Sequence, residues 1–180
     1  MRKFKKEEVY FTSDLHFGHD KEHLYGGRGF ASIEEHDEAI INNWNSVIDE
    51  NKVVFVLGDI MMGGDHSDKI KRLNGTINII LGNHDLSNYK IEAYKNCPNV
   101  DQVLWAEMIQ VGRRQYYLSH HPTLLANFDQ TIRTVNLHGH LHSSNKFVYD
   151  HCYNVNPEAH NMTPVNIVEI LEDINRVEGK

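Results

Sequence analysis

Five short clusters of carboxylate, imidazole and amide side chains punctuate this chain, and each follows a run of apolar or β-branched residues. The sharpest lies in Thr76–Asp85, TINIILGNHD, where the run stops at Gly82 and releases Asn83, His84 and Asp85. Such a run ended by Gly-Asn reads as a buried strand feeding a turn. That turn either delivers Asn83 and His84 into a cleft, or uses Gly82-Asn83 only for positive φ and leaves His84 exposed. Recurrence favours the cleft. Asp14 and His16 follow Val9–Ser13, and Asp59 follows Lys52–Leu57 and Gly58. His120 and His121 follow Gln115–Ser119, and His140 and His142 follow Thr131–Leu137. Residues two apart on extended chain point the same way, so Asp14 with His16, and His140 with His142, each make a two-pronged metal bite.

Collected, Asp14, His16, Asp59, Asn83, His84, His120, His140 and His142 supply two carboxylates, several imidazoles and one amide oxygen. This nitrogen and oxygen set suits Mn, Fe, Co, Ni or Zn rather than a thiolate zinc site. It is too large for one ion and suits two, roughly 3.5–4 Å apart, that share a bridging oxygen.

The elements between the clusters explain how they meet. Alternating strands and helices as far as Thr76–Leu81 predict a parallel βαβ arrangement, in which ligands gather beyond the carboxyl ends of the strands. Asp14, Asp59 and Asn83 each arrive there. A capping box, Ser32 to Glu35, opens a helix over Ile33–Glu50, with His36 on its surface. Ser67–Leu73 and Leu86–Lys95 read as short helices, and Cys97–Asp101 as a connecting turn. Glu107–Val111 and Gln115–Ser119 form a hairpin whose turn carries Arg113 and Arg114 in solvent. Lys146–Val155 and Val165–Leu171 read as two more strands before a charged end, Glu172–Lys180. The loop Asn154–Pro164 is assigned no chemistry. Asp20–Phe30, with three Gly, reads as a loop over the site, in which solvation of His23 and Arg28 is favoured over substrate contact.

Composition sets the outer bounds. The 180 residues are 40% apolar and suit one domain spanning residues 1–180. No signal-peptide pattern and no bilayer-length apolar run is present, so the chain reads as soluble and cytoplasmic. Two Cys, Cys97 and Cys152, are too few for a disulfide framework and read as reduced thiols. A net charge of −7 argues against broad binding to nucleic acid or anionic membrane. Thirteen His stand out, because imidazole is both the commonest metal ligand and the usual acid–base group near neutral pH.

These blocks resemble those of the calcineurin-like metallophosphoesterases. That family's ordered D-x-H, G-D, G-N-H-D/E, lone H and G-H-x-H stand here as Asp14-Leu15-His16, Gly58-Asp59, Gly82-Asn83-His84-Asp85, His120 and Gly139-His140-Leu141-His142. The resemblance implies an α/β fold, a four-layer α-β-β-α sandwich of two mixed β-sheets flanked by helices. It implies that Asp14, His16, Asp59 and His142 hold one ion, with Asp59 bridging to a second held also by Asn83, His120 and His140. His121 is the competitor for the lone-histidine role, and strand phase from Tyr116 and Leu118 favours His120. His84 corresponds to the non-ligand histidine that donates to the leaving group or a phosphoryl oxygen. Ile60-Met61-Met62-Gly63-Gly64 replaces the Asp-Arg that follows G-D in protein Ser/Thr phosphatases, which argues against that subclass.

The expected reaction is hydrolysis of a small phosphomonoester or phosphodiester by a metal-bridging hydroxide. Two divalent ions against two carboxylates leave a local excess of about two positive charges that favours a phosphate ester, and cations ionise the bridging water near neutral pH. Protonation of the departing oxygen by His84 adds about 10²–10⁴-fold. Asn83 and His19 are candidate substrate contacts. Specificity is expected from the loops Asp20–Phe30, Ile60–His66 and Ala126–Gln130, and the small size favours an open cleft. The alternatives are a metal-bound scaffold without catalysis, or a nuclease, which the acidic balance opposes. Native metal, substrate identity and oligomeric state are not encoded in these features.

Overall fold

The computed structural model describes residues 1–123, 134–149 and 151–179. Along the chain come β1 (Arg2–Phe4), β2 (Val9–Thr12), α1 (Glu22–Tyr25), α2 (Ile33–Val47), β3 (Val53–Leu57), α3 (Ser67–Ile70), β4 (Thr76–Ile80) and α4 (Asn88–Lys95). There follow β5 (Val100–Leu104), β6 (Glu107–Val111), β7 (Arg114–Leu118), β8 (Thr134–His138), β9 (Phe147–Tyr149), β10 (Cys152–Asn154), β11 (Val165–Asn166) and α5 (Ile167–Val177).

The strands make two mixed sheets, ordered β11-β2-β3-β4-β5 and β1-β6-β7-β8-β10-β9. In the first, β2 to β5 run parallel and β11 pairs antiparallel at the edge. In the second, β7, β8 and β10 run parallel, with antiparallel hairpins at either side. The α/β architecture of two mixed sheets flanked by helices is therefore the one expected.

Side-chain alternation along β3 shows why the layers form. Phe55 and Leu57, with Val9 and Phe11, face the second sheet and share a core with its Tyr116, Leu118, Val135 and Leu137. Val54 and Val56 face the other way, onto Ile40, Ile41 and Trp44 of α2 and Tyr94 of α4. A strand buried on both faces must be apolar at every position, and VVFVL is. Phe55 stacks on Phe11 at 5.6 Å and meets Phe4 edge-on at 5.5 Å, tying both sheets together. Ser32 caps the helix as read, with Glu35 N donating to Ser32 Oγ at 3.2 Å, while the Glu35 carboxylate reaches back one residue further, to Ala31 N at 2.8 Å.

Several expectations give way. The charged start contains β1, which pairs with β6, and Arg2 donates to Asn78 Oδ1 at 2.8 Å. The expected turn after Cys97 instead leads into β5, paired with β4. Lys146–Val155 is two short strands rather than one. Of Val165–Leu171 only Val165–Asn166 is strand: Asn166 then caps α5 by accepting from Val168 N at 2.8 Å. Ile167, Ile170 and Ile174 recur at helical spacing and enter the inter-sheet core. Arg114 lies in β7, not in a solvated turn, and pairs with Glu178 at 3.2 Å. Cys97 and Cys152 are free and buried. Among the described residues no helix is long and apolar enough to cross a membrane. The loop Ala126–Gln130 and the start of the strand expected from Thr131 lie outside the described residues.

Phe55→Ala, which removes the ring shared by both sheets, is expected to cost about 3–5 kcal/mol. The measurement is a lowered urea midpoint at unchanged slope.

Candidate metal centre

The candidate residues lie just beyond the carboxyl ends of β2, β3, β4, β7 and β8, along one rim shared by both sheets. The loops there are zipped by their own backbones. Asp14 N donates to Gly58 O (2.8 Å), His16 N to Asp59 O (3.1 Å), and Gly139 N to His120 O (2.9 Å). Close approach explains two of the motif glycines. A methyl on Gly82 would lie 2.2 Å from Asp59 Oδ1, and one on Gly139 would lie 2.4 Å from Asp14 Oδ2.

The two-apart pairs do converge, but by a different route from strand alternation. Asp14, His16, Asp59, His140 and His142 all have positive φ, between 42° and 74°. Left-handed turns, not pleating, aim these side chains, while Leu15 between two of them drops into the helix-side core. Such backbone costs about 1–3 kcal/mol per residue and persists only where its surroundings over-determine it.

Two overlapping groups result. In one, His16 Nε2 and His142 Nε2 lie 3.0 Å apart, at 3.8 and 3.6 Å from Asp14 Oδ1. In the other, His120 Nε2 lies 3.0 Å from Asn83 Oδ1, 3.2 Å from His140 Nδ1 and 3.3 Å from Asp59 Oδ2. Asp14, Asp59 and His120 also have donor atoms within 4.8 Å of one another, which joins the two groups. His121 is exposed, with its ring centroid 4.2 Å from that of His140. His84 is half-exposed, its backbone N donating to Asp59 Oδ1 and its Nε2 3.9 Å from Asp59 Oδ2. His19 lies beside the first group, its ring centroid 5.4 Å from that of His16.

Protonation follows from burial and neighbours. Asp14 is fully buried, and desolvation raises it to about 6 against the pull of His120. Burial, helped by Arg28 and His142, pushes His16 down to about 2, so it is a neutral donor. Burial raises Asp59, but the bond and charge of His120 together with the amide of His84 bring it down to about 2, and His120, which burial alone would lower, rises to about 9 on its carboxylate neighbours Asp59 and Asp14. Tautomers are set from outside. His120 Nδ1 donates to Leu57 O at 2.8 Å and His142 Nδ1 to Glu158 Oε1 at 2.9 Å, which leaves both Nε2 atoms turned inward, each able to offer a lone pair once its proton is displaced.

These atoms fit divalent ions on a structural test. Asp14 Oδ1 is buried with no hydrogen-bond partner, and the ring nitrogens of His16 and His142, and of His120 and His140, face one another at about 3 Å. Bare lone pairs in such contact repel unless a proton or cation lies between them.

The sequence from residue 8 to residue 178 matches the family model of the calcineurin-like phosphoesterases. The chain belongs to that family. Within it, an uncharacterised protein of Methanocaldococcus jannaschii is 29% identical over 92% of each chain. The gene 66 protein of Mycobacterium phage D29 is 31% identical over 75% of this chain and 78% of its own. A protein of unknown function from Aquifex aeolicus shares the fold, with a TM-score of 0.72 at 22% identity over 91% of this chain and 97% of that one.

Candidate metal-donor atoms need support from residues behind them, and here those residues escaped the sequence. Arg28, read as solvated, has a 2% exposed side chain that donates to Asp14 O at 2.8 Å and pairs with Glu158 at 2.8 Å. His36, read as surface, is fully buried between Arg28 and Asp37. Asn156, in the loop given no chemistry, satisfies its neighbours when its nitrogen donates to Asp14 Oδ2 (3.0 Å) and its oxygen accepts from His142 N (2.7 Å). Asp85 accepts from Asp59 N (2.7 Å), Gly82 N (2.9 Å) and Tyr94 Oη (2.6 Å), locking the loop after β4 to that after β3. The motif flagged Asp85 but not its role.

Asp85→Ala leaves those donors buried without an acceptor, at about 1–3 kcal/mol each. A total loss of at least about 3 kcal/mol is expected by urea denaturation, with Asp85→Asn retaining part of it because one carbonyl acceptor survives.

Proposed function

We propose that this calcineurin-like phosphoesterase hydrolyses a small phosphomonoester or phosphodiester at a centre of two divalent ions. Asp14, His16, Asp59 and His142 would hold one, and Asp59, Asn83, His120 and His140 the other. The observation that carries this reading is the junction at Asp59. Its buried carboxylate lies against donor groups from both sheets, with Asp14 Oδ1 beside it lacking any hydrogen-bond partner.

When bound, the ions supply an ionised water at neutral pH and neutralise phosphoryl charge. The chain's own residues do the rest. Asn83 and His19 flank the rim and orient the ester. His84, tethered by its backbone to Asp59 yet open to solvent, carries the proton for the departing oxygen. Glu158 and Leu57 O hold the imidazoles of His142 and His120 in the tautomers that present Nε2. Arg28 in turn fixes Glu158. No Ser or Cys nucleophile is required.

A chromogenic aryl phosphate and its diester, assayed with added Mn²⁺, test the activity directly. Absence of turnover on both, with ions bound, supports a metal-bound scaffold instead. His84→Ala is expected to keep its ions and lose about 10²–10⁴-fold in turnover. Asp59→Ala is expected to lose ion occupancy, read by elemental analysis, and undiminished metal content and turnover in both variants would refute the assignment.

Glu158→Gln tests the support of His142. Binding of the metal alone, followed by calorimetry, is expected to weaken about 10–100-fold at one of two sites, as removal of a carboxylate behind a ligating imidazole does.

A further inference from the structure

Beside the candidate centre, on the side of Asn83 and His120, lies an open cavity of about 260 Å³ whose walls include Leu86, Trp105, Ser119, His121 and Thr123. Its apolar wall is unusual. Trp105 is 69% exposed and Leu86 50% exposed, although indole is among the most favourable side chains to bury.

Neither residue is left out by slack chain. Trp105 and Ala106 are the whole connection between β5 of one sheet and β6 of the other, so the indole is presented from two anchored strands. Leu81 N donates to Leu104 O at 2.8 Å, which carries the β4–β5 pairing up to the residue before Trp105 and brings it beside Gly82-Asn83. Leu86 directly follows Asp85, itself locked to the loop of Asp59. Apolar side chains are thus held rigidly next to the atoms that would bind a phosphoryl group, while other lining residues of the same cavity offer hydroxyl and imidazole groups.

A ring with a π face and polar edges matches both walls. We propose that Trp105 and Leu86 form a stacking subsite for a nucleobase carried by the phosphoester, making small nucleotides the substrate class. This rests on the hydrolytic reading above and adds to it the identity of the organic group. Stacking on an aromatic side chain is tolerant of base identity, so preference for a base over none exceeds preference among bases.

The test compares matched esters with and without the base, adenosine 5′-monophosphate against ribose 5-phosphate and the methyl diester of each, in Mn²⁺-loaded protein. The base is expected to raise kcat/KM by about tenfold or more. Trp105→Ala should bring that ratio close to one, and Trp105→Phe should keep most of it. A ratio near one in the unaltered protein, or one that survives in Trp105→Ala, overturns the proposal while leaving the hydrolytic reading intact. Binding gives a second readout that needs no turnover. Of the two tryptophans, Trp44 is fully buried, so the solvent-exposed emission belongs to Trp105. In Zn²⁺-loaded protein, adenosine 5′-monophosphate should perturb that emission saturably and ribose 5-phosphate should not. Equal responses, or none, overturn the subsite even if no ester is hydrolysed.

Discussion

Two buried carboxylates govern this molecule. Asp14 and Asp59 are 0% and 2% exposed, and among the described residues their ion-pair partners are imidazoles alone. Withdrawing a carboxylate from water costs several kcal/mol unless hydrogen bonds and opposite charge return it. Asp59 is served by the amide of His84 and by His120, and it ionises readily. Asp14 is served on one oxygen only and sits near 6. That imbalance leaves the first group with an unmet demand for positive charge, which a Lys or Arg salt bridge would have abolished along with the capacity to bind a cation.

Meeting that demand shapes the backbone. Five candidate ligand side chains stand on left-handed residues, and the loops carrying them are held by amides of neighbouring loops rather than by regular strand pairing. Asp and His are among the residue types that tolerate this region best, so the chemistry and the conformation favour the same residues. The strain is sustained by the double-sided burial of β2, β3 and β4, whose apolar side chains fill both cores. Rigid strands thus determine where each loop begins, and amide-to-carboxylate bonds such as those of Asp85 determine where it points.

This division explains what was legible beforehand. The candidate ligands sit in local blocks, each a strand end followed by polar side chains and several marked by a glycine, and such blocks can be read without knowing the fold. Their convergence was foreseen for a partly mistaken reason, since pleated alternation was expected and left-handed turns occur. Arg28, Asn156 and Glu158 carry no local signature, because their partners are 143 residues away for Asn156 with Ser13 and 130 for Arg28 with Glu158. The fold was misread for a related reason at α5. Its short lead-in β11 and β-branched residues imitate a strand, whereas the spacing of Ile167, Ile170 and Ile174 and the cap at Asn166 carry the helical signal.

The long-range bonds of Arg28 also constrain how the site and its surroundings can vary. The guanidinium ties the loop after α1 to the carbonyl of Asp14, to Glu158 behind His142, and through His36 to Asp37, which in turn accepts from Gly18 N and Lys69 Nζ. The loop walling the cleft on the His19 and His23 side is therefore built into the same network that orients a candidate ligand. On the opposite side, Trp105 stands on a connection bonded to neither Glu158 nor Arg28. Change on the first side must perturb the candidate centre, whereas change on the second, on the substrate reading proposed above, would alter what organic group is received while the candidate ligands stay in place. That asymmetry follows from where the buried charges lie, and it makes the indole side the part of the cleft freest to set specificity.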